Sequence, residues 1–345
     1  MNEIQEVKEI LLRLCDEPGT SGDEAAATKI AKSMLAKDAD VRRDVLGSVV
    51  ASMGPEDAPF HFLIDAHIDQ IGLVVTQVDA HGFLNVAPCG GVDARVLPGS
   101  RVTVYGKEPI SGIVCCTPPH LSGGKESEVP KVDAIHIDTG LSAEQAKAWI
   151  APGDRITIPA PCRELLGTRI TGTALDNRAG CAVLIRCVQL LRREPLPIRL
   201  TILLSSREET GGGGAIAASY TAAPDASIAV DVSFAAQPGV PETCTSTLGA
   251  GPMIGFSAAL DKVMSRELVE VARSQEIPYQ IEAMGETTGT NADAIGVSRG
   301  GVRCGLLSIP QRNMHTPAEI IDLQDLENTA KLLAAYIRKK CQEVR

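Results

Sequence analysis

The sequence predicts an α/β protein, a largely parallel sheet with helices on both faces, interrupted by a small β-rich module. Three observations predict it. Short apolar runs alternate with helix-spaced segments at both ends of the chain, the rhythm of strands joined by helical crossovers. Between about residues 71 and 166 this rhythm gives way to short β-like runs separated by Gly, Pro and Asp turns. The chain has 345 residues, 44% of them hydrophobic, enough for one large core or two smaller ones.

Taken in order, Ile4, Val7, Ile10, Leu11 and Leu14 recur at helical spacing and predict an amphipathic first helix that stops at Pro18-Gly19. Ser21 with Glu24 three residues on reads as a capping box opening a second helix. Residues 61–66 read as a buried strand ending in polar residues. Strands follow at 71–78, 83–87, 101–105, 111–115 and 155–159, with Asp79-Ala80-His81-Gly82 as a hairpin loop. The stretch 117–131, rich in Pro, Gly, Ser and charge, reads as a mobile loop. Beyond 170 the spacing predicts helices at 176–192, 213–220, 265–274 and 323–341, and strands at 198–204 and 226–232. This gives two units: 1–69 with 167–345 as one domain, and 70–166 inserted into it.

Composition excludes several classes. Lys and Arg total 33 against 43 Asp and Glu, a net charge of −10, and the basic face that a nucleic-acid binder normally shows is not evident. Apolar runs such as Leu200-Thr201-Ile202-Leu203-Leu204 are far too short to span a membrane. The start, Met1-Asn2-Glu3-Ile4-Gln5, has neither the basic nor the apolar region of a signal peptide. The ten cysteines are scattered without CxxC pairing, which is expected of reduced thiols in a cytoplasm.

Chemistry concentrates in His67-Ile68-Asp69, Asp176-Asn177, Glu208-Glu209 and Asp231, joined far downstream by His315. The first four stand at strand edges or strand–helix junctions, where open α/β sheets place their sites. Two histidines among several carboxylates are a ligand set suited to Zn²⁺, Co²⁺ or Mn²⁺. Each residue also has a plainer reading: His67 as a hydrogen-bonded core histidine, Asp176 as a helix N-cap, Glu208-Glu209 as a solvated turn, Asp231 as a strand-end cap and His315 as a loop histidine. His61, His81, His120 and His136 fit their own strand, turn and insert positions. Gly211-Gly212-Gly213-Gly214 lacks the Lys-Ser/Thr of a phosphate loop and reads as a helix-opening turn that brings backbone close to metals.

The ordered motifs Ala66-His67-Ile68-Asp69-Gln70-Ile71-Gly72, Leu175-Asp176-Asn177-Arg178-Ala179-Gly180, Arg207-Glu208-Glu209-Thr210-Gly211, Asp231-Val232 and Met314-His315-Thr316-Pro317-Ala318-Glu319 carry a resemblance. So do Ser21-Gly22-Asp23-Glu24, Pro118-Pro119-His120-Leu121, Ile137-Asp138-Thr139-Gly140 and Ser298-Arg299-Gly300-Gly301. Together they resemble, almost end to end, the tetrahedral-aminopeptidase family of dinuclear-metal peptidases. That family includes glutamyl and deblocking aminopeptidases, and some members have been labelled endoglucanases.

The resemblance implies two divalent metal ions, with His67 and Asp231 on one, Glu209 and His315 on the other, and Asp176 bridging. It implies Glu208 as general base, Asp69 orienting and polarising His67, and a cis bond between Asp176 and Asn177. It also implies a phosphorylase/hydrolase-like α/β/α sandwich with an inserted small β-barrel-like domain used for contacts between subunits, assembly into a hollow dodecamer, and peptide substrates. The expected activity is removal of N-terminal residues from peptides. Gln70 and Asn291 depart from the family's usual Glu and Asp and are expected to bear on the substrate pocket. Other readings are a metal-dependent amidase or deacylase, an endoglucanase, and an inert scaffold. A glycosidase needs two carboxylates and no metal, and a scaffold would be expected to have lost ligands.

Overall fold

The computed structural model describes residues 3–121, 123 and 128–344. Helix α1 (Glu3–Cys15) buries Val7, Ile10, Leu11 and Leu14 as one stripe. Helix α2 (Ala25–Leu35) follows, but the expected capping box does not form. Glu24 Oε1 instead accepts from Gly22 N at 2.6 Å, and Ser21 Oγ meets Thr210 Oγ1 at 2.8 Å. The cause is tertiary: Ser21 N donates to Gln70 O at 3.0 Å, drawing this segment across to the residues after the third strand.

A hairpin of β1 (Asp40–Arg43) and β2 (Val49–Met53) leads to β3 (His61–His67), which is buried throughout. The chain then enters β4 (Gly72–Val78), β5 (Leu84–Cys89), β6 (Arg101–Tyr105), β7 (Pro109–Val114), β8 (His136–Asp138), helix α3 (Ala143–Trp149) and β9 (Arg155–Thr157). These six strands close into a barrel in the order β4-β5-β8-β7-β6-β9 around a core of its own, including Leu73, Leu84, Val104 and Ile156. The turn at 79–82 forms as expected, with Asp79 Oδ1 accepting from His81 N and Phe83 N. The loop expected over 117–131 lies partly outside the described residues.

The remaining elements are β10 (Arg163–Glu164), β11 (Arg169–Gly172), α4 (Leu175–Leu191), β12 (Arg199–Ser205), α5 (Gly213–Ala222), β13 (Ala226–Phe234), β14 (Met253–Phe256), α6 (Lys262–Ser274), β15 (Gln280–Ala283), α7 (Asn291–Gly296), β16 (Arg303–Gln311), β17 (Glu319–Asp322) and α8 (Leu323–Glu343). The main sheet runs β1-β2-β12-β3-β13-β16-β14-β15. Its four central strands, β12, β3, β13 and β16, are parallel, as expected. β1, β2 and the β14–β16 pair are antiparallel, so the sheet is mixed. Helices α1, α4 and α8 cover one face over the larger core, and α5 and α7 cover the other. This is a phosphorylase/hydrolase-like α/β/α sandwich.

Central strand β16 escaped the sequence reading because its apolar run contains Pro310, which weakens a strand assignment. Cys15, Cys89, Cys115, Cys116, Cys162, Cys181, Cys187 and Cys304 are free thiols, and Cys116 alone among them is exposed. Among the described residues no helix is long and apolar enough to cross a membrane.

Candidate active site

Three parallel strands deliver the site. β3 ends at His67, whose register partner on β12 is Ser205, and Glu208 and Glu209 follow in the turn after β12. Asp231 lies near the end of β13. Asp176 arrives from the other direction, at the start of α4, beside the left-handed Ala174 and before a cis Asp176–Asn177 bond. It is not the helix cap. Asn177 takes that role, its Oδ1 accepting from Gly180 N at 3.0 Å, while its Nδ2 donates to Val230 O at 2.8 Å. His315, at φ 62°, comes from the loop between β16 and β17.

All seven residues singled out from the sequence converge here. His67 Nε2 lies 3.1 Å from Asp176 Oδ1, 3.6 Å from Asp231 Oδ1 and 4.0 Å from Glu208 Oε2. His315 Nε2 lies 3.4 Å from Asp176 Oδ2 and 3.9 Å from Glu209 Oε2. Asp69 approaches His67 from behind, with its carbonyl oxygen 3.2 Å and its Oδ1 3.6 Å from Nδ1. One ligand atom each from His67, Asp176 and Glu209 falls within 4.8 Å of the others. Exposure is graded: the side chains of His67, Asp176, Glu209 and Asp231 are below 10%, Glu208 reaches 19% and His315 36%.

The electrostatics are those of a cation site. Among the described residues no Lys or Arg pairs with Asp69, Asp176, Glu208, Glu209 or Asp231; their only ion-pair partners are the two histidines. Burial, reinforced by the Asp176 charge, pushes Glu209 up to about 8. Burial likewise raises Glu208, and Asp231 well above the usual range. For Asp176 burial opposes the charge, but the hydrogen bonds from His315 and His67 hold its pKa below the ordinary range. His67 is driven well up despite burial by its bond to Asp176 and the charges around it, and His315 rises to about 9 through Asp176. Buried carboxylates in this excess need positive charge among them. A His/Asp/Glu donor set without lysine or arginine fits divalent metal.

The barrel also reaches the site. A Cβ added at Gly91, just after β5, would lie 2.6 Å from His315 Nδ1, and one at Gly90 would lie 3.0 Å from Glu209 Oε2. The glycine run 211–214 serves a different contact from the one expected. A Cβ at Gly214 would meet Ser206 O at 2.3 Å, so that glycine seats α5 on the end of β12, not on the metal ligands.

Sequence reasoning missed the supports. Glu319 is buried beneath Asp176 and accepts from its backbone N at 3.2 Å; burial and the Asp176 charge raise its pKa well above the usual range. Its signal was present, four residues after His315. Asp65 lies under His67 and accepts from Asn291 Nδ2 at 2.9 Å, and burial lifts it to about 6. Gln70 accepts from Arg178 Nη2 at 2.9 Å; that fully buried guanidinium also donates to Leu14 O and Glu17 O, tying the end of α1 to the site. Gln70 and Asn291, expected to bear on the pocket, are therefore both buried hydrogen-bonding residues under the site.

An α/β/α sandwich gathering buried histidines and carboxylates at strand ends, with a closed barrel against the site, defines a metal-dependent hydrolase. The profile of the M42 glutamyl aminopeptidases matches residues 47–332, and the chain belongs to that family. It is 32% identical over 338 residues to a lysyl aminopeptidase of Pyrococcus furiosus, covering 96% of each chain. It superposes on an aminopeptidase of the archaeon Desulfurococcus kamchatkensis with TM-score 0.90 and 30% identity, covering 99% and 98% of the two chains. Against the TET1 peptidase of Pyrococcus horikoshii, described as assembling into a tetrahedron or a large octahedral shell, the TM-score is 0.86 at 28% identity, with 95% and 98% covered. The chain is an aminopeptidase, an enzyme acting on peptide bonds.

Proposed function

We propose that the chain releases N-terminal amino acids from short peptides by a dinuclear-metal mechanism. The observation that carries this is the division of Asp176: Oδ1 faces His67 at 3.1 Å and Oδ2 faces His315 at 3.4 Å, as a carboxylate shared between two ions requires. His67 and Asp231 would complete one site, and Glu209 and His315 the other, for Zn²⁺, Co²⁺ or Mn²⁺. Divalent ions bound there supply Lewis acidity at the scissile carbonyl and acidify the attacking water.

The protein's own groups do the rest. Glu208, more exposed than the buried ligands, takes the water's proton and returns it to the leaving amine. Asp69 holds His67 and the Glu208-Glu209 turn in place. The unit 70–166 is the candidate oligomerisation domain on a catalytic unit of 1–69 and 167–345. A homo-oligomer, in the relatives' style a dodecamer, would restrict access to short or unfolded peptides. The place of action we propose is the cytoplasm.

Elemental analysis with a panel of aminoacyl chromogenic amides tests the reading. Two ions per subunit and cleavage of unblocked amides are expected; one ion per subunit refutes the dinuclear assignment, and a panel without discrimination favours a deacylase. A native mass showing only monomer removes the assembly.

A further inference from the structure

Beyond Asp231 a cavity of about 290 Å³ opens between β13, β14 and β15, lined by Ser233, Phe234, Met253, Ile281, Glu282 and Met284 among others. Among the described residues Glu282 is its only acidic lining residue. Ser308 Oγ donates to Glu282 Oε2 at 2.7 Å, and Ser233 Oγ donates to Oε1. Both serines place the carboxylate relative to the proposed metal centre. Ser308 is the register partner of Asp231 on the neighbouring strand. Ser233 is two residues beyond Asp231 on the same face of β13, about 7 Å along it.

Among the described residues no Lys, Arg or His forms an ion pair with Glu282. Each of its oxygens receives one neutral hydroxyl and keeps acceptor capacity for a cation. The walls are mixed: Phe234, Met253, Ile281 and Met284 are apolar, and threonines such as Thr287 and Thr288 add methyls and hydroxyls; Phe234 and Ile281 expose 45% and 52% of their surfaces. Apolar side chains beside a single carboxylate match a substrate side chain with an aliphatic stem and a charged head.

Building on the aminopeptidase reading above, we infer that this cavity receives the side chain of the substrate's N-terminal residue and that Glu282 selects a basic one, Lys or Arg. Acidic side chains would meet like charge there. Uncharged ones would leave the carboxylate without a counter-ion.

The test pairs kinetics with binding on the metal-loaded enzyme. Lysyl, arginyl, leucyl and glutamyl amides are compared by kcat/KM, and L-lysine and L-norleucine, which differ by the ammonium, are compared by calorimetry. Lysyl and arginyl amides should exceed leucyl by at least about tenfold, and L-lysine should bind at least about tenfold tighter than L-norleucine. In Glu282→Gln both ratios should fall towards one, and Glu282→Lys should raise the glutamyl rate relative to the lysyl. Cleavage of leucyl amides with no preference for lysyl in the native enzyme overturns the inference alone. Ratios unchanged in Glu282→Gln overturn it too. Failure to cleave any amide overturns the aminopeptidase reading, and the inference with it.

Discussion

The Asp69 carboxylate accepts the backbone N–H of Glu208 at 3.0 Å. Its second oxygen accepts that of Glu209 at 3.1 Å, so one buried side chain fixes the turn carrying both glutamates. The left-handed Arg207 and the bond from Gly211 N to Glu208 O at 2.9 Å complete that turn. Asp69 therefore couples the end of β3 to the residues after β12, a wider task than polarising His67.

Asp69→Asn leaves one acceptor oxygen where two N–H groups need one each. Turnover should fall about 10–100-fold and metal retention through dialysis should weaken, the range expected when a group supporting metal ligands is altered. Asp69→Ala should lose more. Unchanged turnover in Asp69→Ala would show that the turn holds itself.

The two adjacent glutamates should separate under matched substitutions. Glu208→Gln should keep both metals yet lose at least about 10²-fold in turnover, because the amide cannot accept the water's proton. Glu209→Gln should lose one metal and most activity together. Elemental analysis beside turnover decides, and the reverse pattern would exchange the two roles.

Chelation should abolish activity and lower the thermal midpoint, because four carboxylates around two histidines lose the cations that offset their charge. Refilling with Zn²⁺, Co²⁺ or Mn²⁺ should restore both. Metal affinity should fall with acid, since each ligand must shed its proton to bind. A chelated enzyme with full activity would sink the metal assignment.

Much of this was legible in the sequence. The stripe on α1 and the buried run of β3 follow from periodicity, and the seven site residues each fall at a junction that the topology turns towards one point. What escaped depends on contacts distant in sequence. The Ser21–Glu24 spacing signals a capping box, yet Ser21 is drawn away to Thr210, 189 residues on. Glu319 looks like an ordinary carboxylate until β17 brings it to the backbone of Asp176, and Asp65 until α7 brings Asn291 against it, 226 residues on. The two-residue β10 and three-residue β8 are too short for any period to show.

Acid stability should depend on a histidine away from the metal centre. His61 opens β3 with its backbone N donating to Asp225 Oδ2 at 2.8 Å and its ring Nε2 facing Thr201 Oγ1 at 2.8 Å. Burial, aided by the Arg199 charge, lowers its pKa from the ordinary 6.5 to about 4. The folded protein thus holds His61 neutral, while the unfolded chain takes a proton near pH 6.5. Its contribution is fully present above 6.5, is lost as the pH falls towards 4, and stays lost below. The loss over that window should be of order 3 kcal/mol. His61→Asn cannot take up a proton in either state, so its denaturation midpoint should fall less steeply than the native protein's between pH 6.5 and 4. Because acid-driven metal loss affects both proteins alike, the difference between the two curves isolates the histidine. Parallel curves would mean that His61 is protonated in the folded strand.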